Sequence, residues 1–125
     1  MSDAESKIKQ DLFIEIRNLE QNYSVIKGFM SGKDYDALAI GASIQSFKDS
    51  LSRASAFVLA LYNLKGRRVS IPWEPLFTSL DYALATIAVS SSPKQKAALR
   101  TILSMSDVQL EQVLSYFAAL KESLK

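Results

Sequence analysis

Residues 11–30 read DLFIEIRNLEQNYSVIKGFM, and this stretch decides the fold class. Leu12, Ile16, Leu19, Tyr23, Ile26 and Met30 advance by alternating steps of four and three residues. That period lines one face of an α-helix and fits no strand, where the repeat is two. Upstream, Ser2 and Glu5 have capping-box spacing; downstream, Gly32 is a natural stop. The stripe covers only about three heptads, which favours packing inside a bundle over an extended coiled coil.

The same helical spacing recurs along the chain. A second helix is expected from Asp34 to Lys48, with Leu38, Ile40, Ile44 and Phe47 as its apolar set. Asp49-Ser50 then reads as a turn and cap before a third helix, Leu51 to Lys65. That third segment is apolar on nearly every side, which marks a central helix with Phe57, Val58 and Leu61 in the core. Phe57→Ala should then cost about 3–5 kcal/mol. Gly66 ends the helix. Pro72 and Pro75 suit the first turn of a fourth, carrying Leu76, Leu80, Ala83, Leu84 and Ile87. Ser92 and Pro93 read as N-cap and first residue of a short helix to Leu103. Ser106 with Gln109 caps a last helix bearing Leu110, Val113, Leu114, Phe117, Leu120 and Leu124. The expectation is one all-α domain over residues 1–125, a bundle of about six helices without a sheet.

Composition narrows the chemistry. The chain has 125 residues, 48% hydrophobic and 22% charged, with no cysteine and no histidine. Thiol nucleophiles, Cys/His zinc sites, histidine bases and Ser-His-Asp triads are therefore excluded. Asp34 and Asp36 near a helix start read as dipole and capping residues, not as metal ligands. No glycine-rich phosphate loop is present, and no cofactor is expected. Tyr23, Phe47, Phe57, Phe77 and Phe117 fall on apolar stripes and are assigned to the core. Trp73, between two prolines, reads as packed at a helix start, with an exposed anchor as the alternative. No apolar run reaches the ~20 residues of a membrane span, and no targeting segment is seen, so a cytoplasmic location without membrane contact is expected.

The formal net charge of +2 hides a segregation. Residues 1–49 are net −2, residues 50–104 net +5, and residues 105–125 net −1. The basic middle gathers at Lys65, Arg67 and Arg68, and again at Lys94, Lys96 and Arg100. These six are the candidate nucleic-acid contacts, with Arg67-Arg68 favoured because arginine binds phosphate bidentately. The competing reading is a solvated face. Segregated charge also suggests weak self-association, firm only beside partners; a tight, salt-insensitive dimer would instead favour a coiled-coil adaptor.

Residues Asp34 to Gly66 resemble the small all-helical subunit of Cmr-type (type III-B) CRISPR RNA-targeting effector complexes. Tyr35 opens a helix, Leu51 holds a turn leucine, and Ala54, Ala56 and Phe57 form the ending that the family shows. Lys65-Gly66 is similar to its basic-glycine break, and Glu111, Val113, Leu114 and Lys121 to its C-terminal helix. Ser43 and Ser50 stand where the family has proline and glycine, and Ala119 where it has an aromatic. The likeness covers about a quarter of the chain. It implies a non-catalytic structural subunit that stacks as copies along the effector's helical backbone, beside the other effector subunits, and helps hold guide RNA and target RNA. The alternative is a helical oligomerisation or adaptor protein that binds other proteins and no nucleic acid.

Overall fold

The Leu12–Ile26 stripe forms as read, within a helix α1 that spans Asp3–Met30. The computed structural model describes residues 2–71, 73–89 and 93–125. Ser2 caps α1 by accepting from the Glu5 amide at 3.1 Å. Three further helices follow: α2 (Ala37–Leu64), α3 (Glu74–Val89) and α4 (Pro93–Leu124). Among the described residues there is no strand. The described residues form an all-helical bundle of four helices, two fewer than the caps and turns predicted.

Both missing breaks have the same cause. Asp49-Ser50 carries no glycine or proline, and α2 runs straight through it. Asp49 accepts from the Gln45 side chain one turn earlier at 2.9 Å, and Ser50 is buried on the inner face. In α4, Ser106 donates back to the Ile102 carbonyl at 3.0 Å and is also buried. Serine and aspartate favour caps only when no helix partner is available; here each has one or lies in packed surroundings. The turn that the CRISPR-subunit likeness placed at Leu51 is thus a buried mid-helix position. The second helix also starts at Ala37 rather than Asp34, with Asp36 as N-cap accepting from the Ala39 amide at 2.7 Å. Ser92 as a cap and Pro72 at the start of α3 lie outside the described residues. Pro75 does sit in the first turn of α3.

Each helix packs on two neighbours: α1 on α2 and α4, and α3 on α2 and α4. Side-chain contacts give the direction. Lys65 just after α2 lies 3.8 Å from Glu5 at the start of α1. Arg100 early in α4 reaches Phe29 late in α1. Trp73, just before α3, packs edge-on against Tyr116 late in α4. Neighbours are therefore antiparallel. The bundle has a Gly32 end, formed by the α1–α2 turn and the start of α4, and a Gly66 end, formed by the α2–α3 link and the C-terminal part of α4.

One continuous core fills the bundle, with Phe29, Phe47 and Phe117 its largest fully buried side chains. The expected set needs correction at five positions. Leu38 is 85% exposed, because two positions before the buried Ile40 it lies about 200° round the helix, on the opposite face. Met30 is only partly buried, and Phe29 takes the inner position instead. Phe57 is partly buried, as are Tyr23 and Phe77, while Val58 and Leu61 are in the core. The segment containing Phe57 is not surrounded: Ser52, Arg53, Ala56 and Leu59 face outward. Polar contacts cross the α1–α2 seam at Glu15. Glu15 is buried, and its carboxylate accepts from Arg53 Nε at 2.5 Å and from Asn18 at 3.0 Å. Burial pushes the Glu15 carboxyl up, but the bonds from Arg53 and Asn18 outweigh it and hold the group below its ordinary value.

Candidate functional site

The helices place the six candidate cations at opposite ends of the bundle. Lys65, Arg67 and Arg68 are at the Gly66 end; Lys94, Lys96 and Arg100 are at the Gly32 end. A helix of 28 residues separates the ends, which at 1.5 Å per residue is about 40 Å. The doublet and the triplet therefore form no common surface on one copy.

Both ends are built by the same device. At the Gly66 end, the Gly66 amide donates to the Asn63 carbonyl and the Arg67 amide to the Tyr62 carbonyl. At the Gly32 end, Gly32 donates to Phe29 and Lys33 to Gly28 in the same pattern. These are Schellman closures, which need a left-handed residue at the turn. Gly66 has φ +70° and Gly32 φ +106°. A glycine, which lacks Cβ, adopts this region freely.

What sits over each turn differs. At the Gly32 end, Arg100 donates from Nε to the Phe29 carbonyl at 3.0 Å and from Nη2 to the Lys33 carbonyl at 3.3 Å. Its guanidinium lies 4.5 Å from the Phe29 ring centre, within cation–π range. Arg100 therefore joins α4 to the end of α1, with two of its guanidinium nitrogens engaged there. Lys96 is paired with Asp34 at 3.1 Å. Lys94 is exposed. At the Gly66 end, Lys65 has a loose partner in Glu5, while the Arg67 and Arg68 side chains are exposed with no partner among the described residues.

A second polar cluster near the Gly32 end was not foreseen. The Tyr23 hydroxyl donates to Asp107 at 2.8 Å, and Lys27 donates to the other oxygen of the same carboxylate at 2.7 Å. Burial, with the bond to Asp107, pushes the Tyr23 phenol up to about 12. These contacts hold α1 to α4. The α1 and α4 residues lie 80 and 84 positions apart, and no local sequence signal links them.

The feature that sequence reading missed altogether is an outer groove between α3 and α4. It encloses about 660 Å³ and is lined by Thr78, Ser79 and Tyr82 of α3 and Ile102, Met105 and Val108 of α4. No lining residue carries a charge. Met105 is 79% exposed, Val108 66% and Tyr82 65%. The sequence signal was present, but dividing α4 near Ser106 hid it. On one continuous helix, Met105 and Val108 stand opposite the buried Leu103, Leu110 and Val113. Trp73, by contrast, is packed against Tyr116 and Phe117 rather than displayed.

Among the described residues, no three carboxylates gather as metal ligands, and no helix is long and apolar enough to cross a membrane. No family model, curated protein or solved structure matches the chain.

Proposed function

We propose that this chain is a non-catalytic helical assembly module that works through protein contacts on its α3–α4 face. The observation that supports this reading most is the uncharged groove, with Tyr82, Met105 and Val108 displayed around it. Exposed apolar side chains scattered singly are ordinary, but several around one recess mark an interaction surface. The cationic surface argues the other way. Its six members are divided between two ends, Arg100 serves the α1 terminus, and Lys96 is paired.

A second reading rests on Arg67 and Arg68. They are exposed, adjacent and, among the described residues, unpaired beside Lys65 at one end, a geometry suited to phosphate. On this reading the chain is a structural subunit of a type III-B CRISPR ribonucleoprotein, placed beside guide and target RNA. Three cations at one end then give a slope of about −2 to −3 in log K against log salt. Fluorescence anisotropy with single-stranded and duplex RNA at several salt concentrations separates the two readings. The assembly module shows no saturable, salt-steep binding. Binding with that slope, flattened by Arg67→Ala with Arg68→Ala, overturns it in favour of the ribonucleoprotein.

A further inference from the structure

The outer surface of α4 carries a pattern that its inner face does not explain. Starting at Lys94, a stripe continues through Thr101, Met105, Val108 and Ser115 to Glu122, alternating steps of four and three. Its nine positions are all exposed. Seven of them are uncharged, and the two charges stand at the ends: Lys94 at one, Glu122 at the other. Four-three spacing keeps a seam facing a second helix over several turns. The seam borders the α3–α4 groove, so a helix laid along it enters that recess.

From this pattern we infer that the occupant is a second copy of the chain, its α4 lying antiparallel to the first about a two-fold axis between Met105 and Val108. Three features of the seam select this arrangement. A two-fold axis sets each central residue near its own counterpart, so charge there repels itself; the centre of this seam has none. The central surface offers both halves of a self-complementary fit, with Met105 and Val108 projecting beside a recess floored by Ile102 and Ser106. Reversing one helix about that axis brings Lys94 of one copy within a turn of Glu122 of the other. A parallel arrangement would set Lys94 against Lys94 and Glu122 against Glu122. Glu122 also accepts from Lys125 at 3.0 Å, an exposed pair on the same copy that can yield to a neighbour.

The inference rests on the reading of this face as the interaction surface and adds its occupant and orientation. Sedimentation of the purified chain over a concentration series up to about 1 mM tests it, with a monomer–dimer Kd expected at roughly 1–100 µM, the range of small interfaces. Val108→Glu should raise Kd at least about tenfold with unchanged helicity, since the residue is exposed and its loss opens no cavity. Lys94→Glu should weaken the dimer, and Lys94→Glu with Glu122→Lys should restore it. A monomer at every concentration, or a dimer indifferent to Val108→Glu, overturns the second copy as occupant. A double exchange that fails to restore association overturns the antiparallel order. None of these outcomes depends on RNA. A monomeric chain that binds no RNA removes the second copy and leaves the assembly module standing, whereas salt-steep RNA binding removes the module itself.

Discussion

The Gly32 and Gly66 ends are the same construction used for different purposes. Each closes a helix with a glycine at positive φ and a Schellman pair of bonds. Over the Gly32 turn, α4 lays Arg100 on two carbonyls and a phenyl ring, and Tyr23, Asp107 and Lys27 tie the same two helices nearby. Over the Gly66 turn the described residues lay nothing equivalent, and two arginines face solvent. Charge alone does not assign a cation its task. An arginine that meets orphan carbonyls at a helix terminus is structural; one bundle length away, Arg67 and Arg68 meet no such partner among the described residues.

The largest effect expected from breaking this contrast is Arg100→Ala. It removes two charge-assisted bonds and a ring contact, and should cost about 2–3 kcal/mol in chemical denaturation. Gly32→Ala and Gly66→Ala come next. Neither added Cβ meets an atom within 4 Å, so strain at positive φ is the whole cost, about 1–2 kcal/mol at each end. Gly32, at φ +106°, lies farther from the left-handed range open to alanine than Gly66 at φ +70°, so the loss at Gly32 should be the larger.

Tyr23→Phe should cost about 1 kcal/mol, because Asp107 keeps Lys27 as a partner. Its signature is pH. The folded phenol pKa is raised to about 12 from 10.0, so the stabilisation is full below pH 10 and is lost as pH rises towards 12. Lys27 is raised in the same direction by its bond to Asp107, so Tyr23→Phe should flatten the alkaline decline without abolishing it. A parallel decline in wild type and variant would contradict the assignment. The smallest effect belongs to Arg67→Ala with Arg68→Ala, within about 0.5 kcal/mol, as for other exposed positions free of partners.

Much of the fold was legible in the sequence. The Leu12–Ile26 stripe, the Ser2 cap and the stops at Gly32 and Gly66 are local signals, set by helical period and by glycine's freedom at positive φ. The joins at Asp49-Ser50 and Ser104–Ser106 were not, because those residues are also at ease in a helix where Gln45 or Ile102 offers a bond. Missing the second join had a further consequence. It cut the α4 seam in two, so Met105 and Val108 fell between elements and the groove went unread. Arg100 was visible only as one of a basic triplet, because its partners, the Phe29 and Lys33 carbonyls, are some 70 residues away in sequence. Phe57 was over-assigned for a related reason: an apolar run shows what a helix is able to bury, and neighbours decide which side it does bury.

The claim that this chain acts through its α3–α4 face and not through its cationic ends has one direct test. Backbone amide spectra of the labelled protein can be recorded at low and high concentration, and with and without RNA. The account predicts that resonances around Tyr82, Met105 and Val108 move with protein concentration, while those from Gly66 to Ser70 stay in place when RNA is added. Movement at Gly66 to Ser70 on adding RNA, with the groove unmoved by concentration, would contradict it.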